Sequence, residues 1–227
     1  MRVRSMMRRL VSVCALVGIG TASAVAGACG EEIAPYVDYR VMGVASAEQA
    51  LQDGKYIAAA GMVVRMFPEI QRMSVGRDGL LARASRTLAL ATTRSGGALA
   101  ALEREVPADL LGTLRGATDA ERAENLAWSV NALRNLSEVR KNDPAVQTDL
   151  GEALAAVGPS HEEARKLLEG LAARDLVATP QGYAALGRLH AELGHDAERT
   201  SAVKRCEAMT KGAAYCAGAP SSGRSQG

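Results

Sequence analysis

The sequence predicts an all-α protein built from stacked helical hairpins. Three observations predict it. Aromatic residues make up 3% of the 227-residue chain. Ala, Leu, Arg and Glu dominate instead, so good helix formers stand where good strand formers would be needed. Capping patterns alternate with Gly and Pro turns along most of the length. Finally, a hairpin-sized unit recurs. Leu150-Gly151 and Leu186-Gly187 each lead to a second glycine, Gly158 and Gly194, and both glycine pairs are offset by 36 residues. A period of this size marks a repeat architecture, in which neighbouring units bury one another's apolar faces. An irregular α-helical bundle is the alternative.

The elements follow in chain order. Arg2, Arg4, Arg8 and Arg9 form a basic head, and no charge occurs from Leu10 to Gly30. A basic head, an apolar middle and a small-residue end compose a secretory signal peptide over residues 1–28. A membrane-spanning helix is the competing reading, but the run TASAVAGACG is too rich in small residues to face lipid well. Ala26-Gly27-Ala28 satisfies the A-x-A rule for signal cleavage. The same residues followed by Cys29 resemble the lipobox of bacterial lipoproteins, with Ala26 where that pattern prefers Leu. The resemblance implies that Cys29 is acylated and becomes the first residue of the mature chain. Such a protein is exported and anchored in a membrane facing the periplasm. Gly30 is not the Asp that resembles an inner-membrane retention signal, so the outer membrane is expected.

Cysteine parity bears on the same point. Cys14 leaves with the signal. With Cys29 acylated, Cys206 and Cys216 remain and can pair; otherwise three thiols remain and one is odd in an oxidising compartment. Gly212 between the two would let the chain turn back. A Cys206–Cys216 disulfide is expected, with two free thiols as the alternative.

Residues 29–45 lack a helical period and contain Pro35, which reads as a tether. The helical repeat domain spans residues 46–212. Ser46-x-x-Gln49 has capping-box spacing, and Asp53-Gly54 separates two antiparallel helices. Leu80 to Thr93 is a further helix, broken at Gly96-Gly97; ALAALEREV follows as a helix and ends at Pro107. Thr118-x-x-Glu121 opens a long helix that runs to about Arg140. Asp143-Pro144 and Thr179-Pro180 read as N-caps with proline in the first turn, and Ser160-x-x-Glu163 as another capping box. Residues 213–227 are small and polar, the composition of a disordered tail.

Within residues 145–210 the two aligned units resemble the tetratricopeptide repeat. Gly151 and Gly187 match that family's small position on the first helix, Leu154 and His190 its bulky position, and Gly158 and Gly194 its turn. In the second helix Val203 takes the place of Leu167, but Lys204 and Glu207 replace Leu168 and Leu171. The last helix thereby acquires the polar outer surface expected of a terminal repeat. The resemblance implies a degenerate α-solenoid that binds a protein or peptide.

Charge and motifs narrow the function. Without the four signal arginines, 23 basic residues face 25 acidic ones, a formal −2, so there is no electrostatic case for nucleic acid. No nucleophile elbow, phosphate-binding loop or metal-ligand spacing occurs, and His161, His190 and His195 sit in none of the usual ligand patterns. No catalytic residue, metal or cofactor is assigned. One cluster stands out instead. Trp128, the single tryptophan, shares a helical stripe with Asn131 and Asn135, while Leu126, Val130 and Leu133 form the core stripe. Asparagine is a poor mid-helix residue. Two beside a tryptophan suggest a partner-binding surface; a half-buried Trp next to ordinary exposed amides is the plainer alternative. The expected function is a non-enzymatic envelope lipoprotein that scaffolds a protein or peptide partner. A structural part of a secretion or pilus-type assembly is a second possibility, and an envelope enzyme or small-ligand receptor a third.

Overall fold

A computed structural model describes residues 38–73, 79–210 and 216. The signal peptide of residues 1–28, Cys29 and the tail of residues 213–227 (Cys216 excepted) lie outside them. Eight α-helices and no strand occur among the described residues. They are α1 (Tyr39–Gln52), α2 (Tyr56–Met66), α3 (Leu80–Arg94), α4 (Asp119–Val139), α5 (Pro144–Leu154), α6 (His161–Ala172), α7 (Pro180–Glu192) and α8 (Asp196–Met209). Each packs on the next. In addition α1 touches α3, α3 touches α5 and α5 touches α7. The odd-numbered helices therefore form a continuous row, against which the even-numbered ones lean. No described helix is long and apolar enough to cross a membrane.

The first helix starts earlier than the sequence suggests. Asp38, not Ser46, is its N-cap and accepts a hydrogen bond from the Arg40 amide at 2.9 Å. Residues 39–45 of the expected tether are thus helical, and Ser46 is an exposed mid-helix residue. The reason is burial. Val44, Ala47, Ala50 and Leu51 lie on one stripe and are nearly inaccessible, which draws the preceding turn into the helix. Gln49 has no capping role and donates instead to Asp53, at 2.9 Å.

Other start signals hold. Thr118 and Glu121 form a reciprocal capping box at the head of α4. Asp143 accepts from the amides of Ala145 and Val146, with Pro144 in the first turn of α5. Thr179 accepts from the Gly182 amide at 3.1 Å ahead of Pro180. The Ser160–Glu163 box does not form: Ser160 belongs to a short 3-10 turn, and its side chain makes no cap bond.

The link from α3 to α4 is the least regular part. ALAALEREV is a five-residue 3-10 segment, Ala100–Arg104, not an α-helix. Gly96 and Gly97 both have positive φ, and Pro107 follows closely, so too few residues remain for a stable α-turn run. The segment still buries Leu99, Leu102 and Val106 and packs on α2. Gly97 has a second reason to be glycine, because a Cβ there would run into the Arg122 backbone. Its carbonyl accepts from buried Asn125 at 2.9 Å, which pins the link to α4.

The last two hairpins close by different means. In α5–α6, Leu168 lies directly over Gly151, where a Cβ would come within 2.6 Å of it. In α7–α8, Gly187 faces Val203 and Ala202 at 3.6 and 3.7 Å, an ordinary contact. Only Ala202 and Cys206 of α8 are buried. Cys206 is disulfide-bonded to Cys216 with a Cα–Cα distance of 5.7 Å, and both pack with Leu171, Val177, Tyr183 and Ala184.

Candidate functional site

Helix α4 positions the candidate site. Its buried side is carried by Asn125, Ser129, Val130, Leu133 and Leu136; Leu126 is only half-buried. The core stripe is therefore rotated slightly from the one expected, since two polar residues join it by finding partners. Asn125 bonds the Gly97 carbonyl, and Ser129 pairs with Thr93 at 3.1 Å and donates to the Leu126 carbonyl at 2.8 Å.

The neighbouring stripe faces a groove of about 610 Å³. Trp128, Asn131 and Asn135 all line it. Trp128 packs one face on the core, and both asparagines are exposed. The opposite wall is the 3-10 turn Ile70–Arg72 with Met73, and Ser85 of α3 lies at the bottom. That wall is held in place by Gln71, whose side-chain oxygen accepts from the Thr113 amide and hydroxyl at 3.3 and 3.2 Å. The groove thus opens between α4 and the chain that follows α2, with α3 as its floor. Arg134 adjoins Asn135 in sequence but points elsewhere, to Glu163 of α6 at 2.8 Å. About 100° of helix rotation separates the two.

The chemistry of the groove is neutral recognition. It offers one aromatic face, two amides with both donor and acceptor, and an apolar patch at Ile70 and Ala132. Arg72 and Glu138 stand exposed at its edges and oppose each other in charge.

A second, charged arrangement lies along the odd-numbered row, and no local sequence pattern announces it. Arg86 of α3 pairs with fully buried Asp149 of α5. Arg94 binds Glu152 through two bonds of 2.8 and 3.0 Å. Burial pushes the Asp149 carboxyl up to about 6, against the pull of Arg86. Near the α1–α2 turn, Arg94 and Glu152 line a cavity of about 420 Å³ with Tyr56, Gln181 and Arg188. These pairs tie α3 to α5.

His190 is buried on α7, with Nε2 3.6 Å from Glu169 of α6. His161 approaches Glu192 at 2.8 Å. His195 is exposed, with its ring 5.8 Å from that of His190. Among the described residues no three His, Cys, Asp or Glu side chains converge as metal ligands, and Cys206 is consumed by its disulfide. Sequence reasoning missed Ser85 and Ile70 as groove residues. Both are distant in sequence from α4, and neither carries a local signal. No family model, curated protein or solved structure matches the chain.

Proposed function

We propose that the chain is a non-enzymatic scaffold of the bacterial cell envelope, lipid-anchored at Cys29, whose stacked hairpins hold an extended protein or peptide segment. The observation that carries this reading is the groove that collects Trp128, Asn131 and Asn135 against Ile70 and Ser85. Tryptophan is over-represented among binding hot spots, and an asparagine side chain can pair with both halves of a peptide bond. The row of odd-numbered helices with even-numbered ones leaning on it supports a degenerate tetratricopeptide-like solenoid. The Ala26-Gly27-Ala28-Cys29 junction supports the anchor and an outer-membrane address facing the periplasm.

Crosslinking in intact cells, followed by identification of what is attached, tests the partner. Asn131→Ala and Asn135→Ala should fold, since alanine favours helix, yet recover less partner than wild type. Full recovery by both variants would overturn the groove assignment. Membrane fractionation tests the anchor: Cys29→Ser should move the protein from the membrane to the soluble periplasm. Equal partition of the two forms would sink the lipoprotein reading.

A further inference from the structure

The exposed apolar side chains of the helical stack gather at one edge. Consecutive helices run antiparallel. Short turns at residues 53–55, 140–143, 155–160, 173–179 and 193–195 reverse the chain between packed neighbours. Across the longer links the contacts give the same reversal. Tyr56 at the head of α2 shares a cavity with Arg94 at the end of α3, and Thr93 meets Ser129 of α4 while Ala82 meets Leu136. The starts of the odd-numbered helices and the ends of the even-numbered ones therefore share an edge. Tyr39, Val41 and Met42 stand there on the head of α1, with Met73 beyond the end of α2 and Val139 at the end of α4. Leu176 follows α6 at the same edge, and Met209 ends α8. Of the eight large apolar residues exposed among the described ones, only Leu193 lies at the opposite edge. Single scattered hydrophobes are ordinary on a protein surface, whereas a gathered set marks an interaction site.

We infer that this edge is a membrane-docking surface, seated on the headgroups and upper acyl chains of the bilayer that holds the anchor. The inference rests on the lipid-anchor reading above. Cys29 precedes Asp38 by nine positions, and the chain enters the stack at this same edge, through α1. Nine residues reach about 30 Å at full extension, so an anchored chain keeps the edge within about one bilayer thickness of lipid. The two most exposed members of the set, Tyr39 and Met42 at 81% and 58%, stand in the first turn after the tether. Tyrosine suits a membrane interface, with an apolar ring and a polar tip. Further along α1 the same outer stripe turns polar, at Ser46 and Gln49, so apolar exposure stops as the helix leaves the edge. Exposed Arg40 and Lys141 are balanced there by exposed Asp38 and Glu138, so the contact is apolar and outlasts salt. No described helix is long and apolar enough to cross a membrane, and the edge lies on the bilayer rather than through it.

The test removes the anchor so that the edge acts alone. The exported and processed Cys29→Ser chain is mixed with vesicles of phosphatidylethanolamine and phosphatidylglycerol at millimolar lipid, then floated on a density gradient in low and in high salt. It should rise with the vesicles in both. Adding Tyr39→Gln and Met42→Gln should lower its partition roughly tenfold or more, because two side chains forfeit their apolar burial. Both positions are exposed, so the fold should survive, which circular dichroism checks. Leu193→Gln, at the opposite edge, should float like its parent. A parent chain that stays with the unbound protein overturns the docking surface, and so does an equal effect of the two sets of substitutions. Self-association that Tyr39→Gln and Met42→Gln abolish would give the edge to a second copy and overturn it as well. Acylation is read separately, from the intact mass of wild type, so the anchor and the edge can each fail alone.

Discussion

The hairpins α5–α6 and α7–α8 were cut from one sequence pattern, yet they are held shut in opposite ways. In α5–α6 the helices meet side chain to backbone. Leu168 is fully buried over Gly151, and eight of the eleven residues of α5 are buried. In α7–α8 the outer helix contributes only Ala202 and Cys206 to the interior, and a covalent bond to Cys216 supplies the closure. An internal unit has neighbours on both sides and can rely on packing. A terminal one has water on its outer face, so its apolar complement shrinks. Glycines that match in sequence therefore do not imply matching energetics.

The largest expected effect comes from the buried leucine. Leu168→Ala should cost about 2–5 kcal/mol in urea unfolding, as a fully enclosed side chain leaves a cavity. Val203→Ala, at the half-buried side chain that faces Gly187, should cost about 1 kcal/mol. Similar losses at the two sites would break the distinction.

Next in size is a pH effect confined to the internal hairpin. The Asp149 carboxyl titrates at about 6 in the fold against an ordinary 3.8, chiefly through burial. The fold thus holds this proton more tightly than the unfolded chain does. The group's contribution is full below about pH 4 and is lost as pH rises towards 6, by on the order of 3 kcal/mol. The stability difference between wild type and Asp149→Asn should fall across that window and be flat above it. A flat difference throughout would mean that Arg86 just offsets burial, and a difference that rises with pH that it outweighs it.

Removing the disulfide should matter slightly less, and only at the end of the stack. Cys206→Ser should lower local stability by roughly 2–3 kcal/mol for a loop of this length. Hydrogen exchange should speed up in α8 and hardly change in α5 and α6. Faster exchange across all of these helices would show that the terminal hairpin is not a separate closure.

The mildest pair sharpens the comparison directly. Gly151→Ala should destabilise by about 1–3 kcal/mol through overpacking against Leu168. Gly187→Ala has room at 3.6 Å and should be neutral or gain up to about 1 kcal/mol from helix propensity. Thermal melts of the two variants should move in different directions; a shared direction would erase the contrast.

What the sequence disclosed, and what it hid, follows from range. Thr118–Glu121, Asp143–Pro144 and Thr179–Pro180 act within a single turn, so the starts of α4, α5 and α7 were legible. The Trp128–Asn131–Asn135 stripe is likewise a property of one helix, and the structure puts all three on one groove. The start of α1 was misread because its cause is tertiary: Val44 is buried by neighbours, and Gly43 makes room for Met66. Ser160 has the right spacing but the wrong backbone, since the 3-10 turn precedes α6 without a break. Arg86–Asp149 and Arg94–Glu152 join residues 63 and 58 positions apart. No window short enough for pattern reading contains both partners.

The arginines of α3 have a mechanical consequence. Arg83, Arg86 and Arg94 lie on one side of that helix and tie it to Glu48 of α1 and to Asp149 and Glu152 of α5. A pull between the N-terminal end of α1 and the groove on α4 is transmitted through α3, by its contacts with both. Helices α6 to α8 are off that line of force. The covalent cross-link at Cys206 lies outside that path, whereas resistance to such a pull is set by the shear of α1 and α4 against α3.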